Sequence, residues 1–166
     1  MPMENKKRLF LIDAYALIFR GYYAFIKNPR INSKGLDTSA ILGFTNSLFD
    51  VIKRERPEYI AVCFDKGGSQ DRIKIFPEYK ANRDETPEGI KIAVPYIQEI
   101  LNALGICIMV KEGYEADDII GTLAKKAEKE NFETYMVTPD KDFAQLVNEK
   151  TFIYKPLFGG GYETWG

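Results

Sequence analysis

The chain contains no histidine. That absence removes a Ser–His triad, a histidine-ligated zinc and an imidazole general base from consideration. Any hydrolytic chemistry must then come from carboxylates, lysine, tyrosine or water beside a metal. Cysteine is scarce too. Cys63 and Cys107 each sit inside an apolar, strand-like segment, which predicts two buried, reduced thiols of a cytoplasmic chain and not a disulfide or zinc framework. No run approaches the roughly 18 apolar residues of a membrane span, so no membrane partner is expected. The opening "MPMENKKRLFLIDAYALIF" sets a basic cluster before an apolar run. Asp13 and Arg20 interrupt that run and no small-residue cleavage site follows, which argues against a signal peptide.

What is present fits one domain with a sizeable core: 166 residues, 45% of them hydrophobic. The net charge of −1 conceals a division along the chain. Lys6, Lys7, Arg8, Arg20, Lys27, Arg30 and Lys34 face only Glu4 and Asp13 in residues 1–34, whereas Asp and Glu dominate residues 112–142. Such asymmetry suits a polyanion held by one region and a cation by another, although solvated faces also produce it.

Four short apolar runs read as buried parallel strands: "RLFLID" (8–13), "YIAVCFD" (59–65), "ICIMV" (106–110) and "ETYMVTPD" (133–140). Residues 39–55, 87–104 and 116–130 between them carry helical periodicity. Thr38 or Ser39 can cap the first helix, Thr86 before Pro87 opens the second, and Pro95 is expected to kink it. Alternating strands and helices predict a layered α/β fold with a mainly parallel sheet. "TFIYKP" (151–156) with "FGGGYE" (158–163) predicts an edge strand or hairpin. The exception is residues 66–86, "KGGSQDRIKIFPEYKANRDET", long and without apolar periodicity. Its Arg72, Lys74, Tyr79, Lys80 and Arg83 make it a candidate mobile polyanion clamp, with an ordinary surface excursion as the plain alternative.

Acids gather where ligands bind in such folds, beyond the carboxyl ends of the strands. Asp13 ends the first strand, Asp65 the second, Asp140 and Asp142 follow the fourth, and Glu115, Asp117 and Asp118 follow the third. A single acid there is commonly a helix cap. Seven on one edge repel each other unless cations or protons neutralise them. With oxygen donors alone, the expected cation is Mg²⁺ or Mn²⁺. Seven acids exceed the needs of one Mg²⁺, and a pair of ions suits phosphoryl chemistry. Arg20, about two helical turns past Asp13, can approach the same edge to bind phosphate. Lys80 and Arg83, three residues apart, share a helical face and can grip a phosphate or transition-state charge.

"LFLIDAYALIFRGYYAF", "VCFDKGG…FPEYKANRDETPE", "GYEADDIIGTLA" and "TPDKDFAQLV", in that order and spacing, closely resemble the N-terminal 5′-nuclease (5′→3′ exonuclease) domain of bacterial DNA polymerase I, within the flap endonuclease family. The resemblance covers nearly the whole chain. It implies a PIN-like (resolvase-like) three-layer fold and divalent-metal-dependent hydrolysis of DNA phosphodiesters at 5′ ends or flap junctions. A 5′-phosphate product and a role in primer removal and repair are implied with it, on DNA and RNA–DNA primers, by a monomeric, cytoplasmic, nucleoid-associated protein using two Mg²⁺ ions. By motif, Asp13, Asp65, Glu115, Asp117, Asp118, Asp140 and Asp142 match the metal-binding acids, with Asp13, Asp65, Arg20 and Lys80 in catalytic roles. Arg20, Lys80, Arg72 and Arg83 match phosphate-contacting bases, and Tyr79 joins them in the DNA-binding set. Tyr22 takes the place of an aromatic suited to stacking on a base, and core packing is an equal reading of it.

Two departures stand out. Where relatives usually read Phe-Arg-His-Glu, this chain has Asp71-Arg72-Ile73-Lys74, and only Arg72 matches. The resemblance also implies a following helix–hairpin–helix DNA-binding region with two more metal-binding aspartates, whereas the sequence stops at "YETWG". The expectation is therefore a fragment with weak or no activity alone. Competing readings are another magnesium enzyme, such as a PIN-type ribonuclease or an acidic-pocket phosphatase, and a non-catalytic module that binds branched DNA.

Overall fold

The computed structural model describes residues 7–65, 87–110, 115–156 and 162–165. The candidate clamp at 66–86, with Arg72, Tyr79, Lys80 and Arg83, lies outside them, as do Thr86 and the first part of the "FGGGYE" turn. The elements run β1 (Lys7–Asp13), α1 (Ala14–Ala24), α2 (Ser39–Glu55), β2 (Tyr59–Cys63), α3 (Glu88–Leu104), β3 (Cys107–Met109), α4 (Ala116–Lys129) and β4 (Phe132–Val137). A 3₁₀ helix (Lys141–Leu146), β5 (Thr151–Pro156) and β6 (Tyr162–Trp165) complete them.

The strands form one sheet in the order β3-β2-β1-β4-β5-β6. The first five are parallel and β6 closes the edge antiparallel to β5. Successive β1 side chains point to opposite faces, as a pleated strand requires. Phe10 and Ile12 enter a core under α1, α2 and α3, while Leu11 enters a second core under α4 and the 3₁₀ helix. The result is the expected three-layer α/β fold with a mainly parallel sheet. From β1 the chain moves outward through β2 to β3, then returns across the other face to β4 on the far side of β1. That reversal makes the β1/β4 boundary the topological switch point, where the carboxyl ends of the strands leave a crevice.

Several sequence expectations are revised. Helix α1 escaped the periodicity reading because Ala14, Ala16, Leu17, Ile18, Phe19 and Gly21 are all buried, so it has little polar face to alternate with. Cys63 is buried as expected, but Cys107 is exposed. It opens a three-residue strand at the sheet edge, where among the described residues one flank has no neighbouring strand to cover it. Helix α3 takes Pro87, and not Thr86, as its N-cap, and Pro95 lies inside the one helix. Thr38 caps α2 in position only: its hydroxyl donates to the Arg30 carbonyl at 2.8 Å, and the Ser39 amide donates instead to Asp37 Oδ1 at 2.9 Å.

Far from the crevice, Glu55 at the end of α2 accepts from Arg8 of β1 at 2.8 Å and from the Tyr154 hydroxyl of β5 at 2.6 Å. This ties three elements at one charged group. Near the crevice, α1 crosses α2 at a pair of glycines. A Cβ on Gly43 would lie 2.4 Å from the Gly21 Cα, and one on Gly21 would lie 2.8 Å from the Gly43 Cα. Backbone meets backbone there, so neither position has a flexible side chain that can yield. Gly43→Ala must push the helices apart and should destabilise the chain by about 1–3 kcal/mol. Urea unfolding measures this, and an unchanged midpoint contradicts the close crossing.

Candidate functional site

Parallel pairing fixes where the strand-end acids arrive. Asp13 pairs with Cys63 across β1 and β2, and Ile12 pairs with Val137 across β1 and β4. Asp65 and Asp140 therefore leave their strands at the level where Asp13 ends β1. All three are buried, with relative exposures of 2% for Asp13, 4% for Asp65 and 9% for Asp140. Burial pushes the Asp13 carboxyl up from 3.8 to about 8, with the charges of Asp65 and Asp140 adding to the effect. A hydrogen bond from Thr138 works against the shift. Cys63 lies among the same groups. Burial and the Asp13 and Asp65 charges raise its thiol, so it stays protonated.

Thr138 is a residue that motif reasoning passed over. It is fully buried, its hydroxyl donates to Asp13 Oδ2 at 3.1 Å, and its Oγ1 accepts from the Asp140 amide at 3.1 Å. Asp140 Oδ1 in turn accepts from the Asp142 amide at 2.9 Å, which caps the 3₁₀ helix. One hydroxyl thus links the end of β1 to the turn after β4. The "TPD" spelling contained the signal, since a hydroxyl one residue past a strand and two before an acid is placed to bond both.

The acidic triplet divides its tasks. Glu115 is the N-cap of α4 and forms a capping box with Asp118, whose Oδ2 accepts from the Glu115 amide at 3.2 Å. Asp65 Oδ1 accepts from the Ala116 amide, which joins β2 to the same helix start. Asp117 differs. Among the described residues its Oδ1 is buried with no hydrogen-bond partner, and burial followed by the charge of Asp118 and, more weakly, Asp65 raises its carboxyl against the pull of backbone amides at the helix start. Capping therefore accounts for Glu115 and Asp118 and leaves Asp117 unexplained. A buried carboxylate oxygen without a donor loses its hydration unrepaid, and a cation is the partner that suits it.

A cleft of about 290 Å³ opens from this point between α4 and the 3₁₀ helix. Asp117, Asp118, Asp140 and Asp142 line one part of it. The acids thus form two overlapping groups, Asp13–Asp65–Asp140 by their mutual fields and Asp117–Asp118–Asp140–Asp142 by the cleft. Among the described residues no three acids close into a ready cation cage. The donor set nevertheless fits a hard divalent ion: oxygen ligands only, one orphaned buried oxygen, and a protonation equilibrium that an incoming cation can reverse.

Of the expected phosphate and base contacts, two lie among the described residues. Arg20 is half-buried on α1, and its charge acts on the Tyr162 hydroxyl, which burial and Asp50 push up to about 12. Tyr22 is half-buried and packs against the core, edge-on to Tyr23 with centroids 5.1 Å apart. Its ring also rests on α3, since a Cβ on Gly89 would fall 2.7 Å from Tyr22 Cε1. Core packing is the role the structure gives Tyr22, and the ring's remaining exposure leaves a face for stacking.

Residues 8–164 match the model of the family described as 5′-3′ exonuclease, N-terminal resolvase-like domain. A 5′-3′ exonuclease of Aquifex aeolicus is 40% identical over 91% of this chain and 52% of its own length. The DNA polymerases I of Treponema pallidum and Bacillus subtilis are 43% and 41% identical over 87% and 91% of the chain, but over only 14% and 17% of their own lengths. The chain thus spans about half of the first relative and a small part of the polymerases. Among solved structures, T5 5′-exonuclease with bound zinc superposes with a TM-score of 0.61 at 22% identity, covering 90% of this chain and 55% of that one. The catalytic core of Rad2 in complex with DNA gives 0.58 at 21% identity, covering 97% and 48%. These two likenesses show the fold, which is PIN-like.

Two outcomes follow from the site's geometry. The folded chain keeps a proton on Asp13 that the unfolded chain releases near its ordinary 3.8. The folded state then binds more protons between roughly pH 4 and 8, and metal-free stability should fall as pH rises across that window, by up to about 1.4 kcal/mol per pH unit. Asp13→Asn should flatten that slope in pH-dependent melting, and a slope equal to the parent's refutes the assignment. Thr138→Val leaves Asp13 Oδ2 without this donor and the Asp140 amide without this acceptor, a loss of about 1–3 kcal/mol. Thr138→Ser should restore most of it in the same denaturation series.

Proposed function

Since the chain belongs to the family of 5′-3′ exonuclease N-terminal resolvase-like domains, we propose that it carries the acidic centre of a 5′ nuclease that hydrolyses DNA phosphodiesters at 5′ ends and flap junctions. The observation that carries this reading is the set of three buried strand-end carboxylates, Asp13, Asp65 and Asp140, held together at the switch point of the sheet. Asp117, with its unpartnered buried oxygen, adds a fourth. Glu115, Asp118 and Asp142 complete the set of acids that would hold two divalent ions. Mg²⁺ is the natural choice for oxygen-only ligands, with Mn²⁺ able to replace it. Bound there, the ions would supply Lewis acidity and an activated water for phosphodiester hydrolysis.

The chain's own groups position the substrate. Burial of Asp13, Asp65 and Asp140 excludes water from the side facing the sheet and leaves the cleft side as the approach for the phosphodiester. Arg20 on α1, with Lys80, Arg83 and Arg72 from the segment at 66–86, contacts phosphates. Tyr22 stacks on a base near the scissile bond, and Tyr79 adds an aromatic to the DNA-binding segment at 66–86. Water adds to phosphorus, the bond to the 3′ oxygen breaks, and a 5′-phosphate remains. The substrates are 5′ flaps and RNA–DNA primers, and the protein works as a cytoplasmic monomer in primer removal and repair. Neither a non-catalytic DNA-binding module nor a PIN-type ribonuclease is favoured by the family assignment.

The test uses a labelled 5′-flap substrate with Mn²⁺, with and without excess EDTA, beside melting curves. Cleavage should require the metal and vanish in Asp13→Ala and Asp140→Ala. Mn²⁺ at ten times its dissociation constant should add about 1.4 kcal/mol to stability. Cleavage that persists in EDTA, or Mn²⁺ that stabilises no more than NaCl of equal ionic strength, defeats the reading.

A further inference from the structure

The acidic cleft does not end at the acids. Helix α4 presents Asp118, Gly121, Thr122 and Lys125 along one wall, the i, i+3, i+4, i+7 spacing of a single helix face. Gln145 of the 3₁₀ helix stands on the opposite wall, over a floor that includes buried Phe143. Lys125 shares this cleft with four carboxylates, yet among the described residues it makes no ion pair. Arg8–Glu55 and Arg54–Asp50 pair outside the cleft. Helix rise explains the separation: seven residues from Asp118 to Lys125 span about 10 Å. Gly121, one turn before Lys125, faces Leu146 of the 3₁₀ helix, whose Cδ1 would lie 3.6 Å from a Cβ placed there.

Here the Lys125 ammonium, the Thr122 hydroxyl and the Gln145 amide line the cleft farther along α4 and the 3₁₀ helix than the four carboxylates at their starts, so one end is polar and cationic and the other anionic. The first end suits an anion and the second a cation. A nucleic-acid backbone needs both arrangements in sequence, because the phosphate under attack lies against the cations and its neighbour requires a separate partner. We infer that Thr122, Lys125 and Gln145 form a second phosphate subsite. It takes the backbone phosphate next to the scissile one, with the intervening sugar over Phe143. The inference rests on the proposed 5′-nuclease reading and extends it by giving α4 a share in DNA binding apart from the acids.

The experiment compares the unsubstituted chain with Lys125→Gln and with Lys126→Gln. The second substitution makes the same charge change on the same helix, but its side chain does not line the cleft. Both positions are exposed, and glutamine is a good helix former, so metal-free melting curves should be unchanged. Anisotropy of a labelled 5′-flap oligonucleotide is followed in Mn²⁺, in the cold and before turnover, across a salt series. Lys125→Gln should reduce the log–log salt slope by about 0.7–0.9, one phosphate contact. Lys126→Gln should reduce it by much less, and both should keep the parent's Mn²⁺-induced rise in melting temperature. Equal slopes for the two variants overturn the subsite while leaving the nuclease reading intact. An unsubstituted chain that binds no flap DNA overturns the nuclease reading itself, and the subsite with it. A smaller Mn²⁺ response in Lys125→Gln alone places the lysine in the cation site and likewise overturns the subsite.

Discussion

Asp13, Asp65 and Asp140 are buried together at the ends of three strands, and burial with the charges of Asp65 and Asp140 opposes the ionisation of Asp13. Three like charges do not gather there by preference. They are held by backbone, because β1, β2 and β4 are adjacent parallel strands whose ends coincide in register. The sheet's many hydrogen bonds and the two apolar cores beneath it stabilise the arrangement against a local electrostatic cost. Such a site is strained in charge, and a cation or a proton relieves it. The acid–cation complementarity is therefore a property of the sheet's connectivity as much as of the acids.

The same economy is visible at the start of α4. Glu115 and Asp118 satisfy the free amides of the helix end, and Asp65 takes a third from the neighbouring strand. That network fixes the orientation of the helix's first turn. With its neighbours engaged, Asp117 is left with a buried oxygen that no donor among the described residues reaches. Capping and cation binding are usually rival explanations for acids at a helix N-terminus. Here the two are compatible, since the capping pair fixes the first turn while Asp117 stays outside the cap. Thr138 does the equivalent work on the other side, bonding β1's terminal carboxylate to the turn after β4.

On the opposite face of the sheet, the glycine contact between α1 and α2 sets how closely these helices pack over Phe10 and Ile12. Helix α1 follows Asp13 directly and carries Arg20 and Tyr22. Its seat against α2 therefore sets where those two side chains stand relative to the acids. A packing constraint between two backbones thus becomes a positional constraint on Arg20 and Tyr22.

Much of this was legible in the chain itself. Strand runs bounded by Asp13, Asp65 and Asp140, helices with a clear apolar face, and the want of histidine led to a parallel α/β sheet with an oxygen-only acidic edge. Those signals are local: periodicity is a property of neighbouring residues, and a strand's end marks where its acid must emerge. Strand order was not legible, because pairing between β1 and β4 depends on residues more than a hundred positions apart. The exposure of Cys107 followed from that order, since only the finished sheet makes β3 an edge. The near-uniform burial of α1 hid it from periodicity for the same reason. Which of three clustered acids caps a helix and which lacks a partner depended on the arrival of Asp65 from another strand. Composition and spacing determined what chemistry the chain can hold; tertiary contacts decided which side chains are left free to perform it, because hydrogen-bond partners distant in sequence are chosen only when the sheet closes.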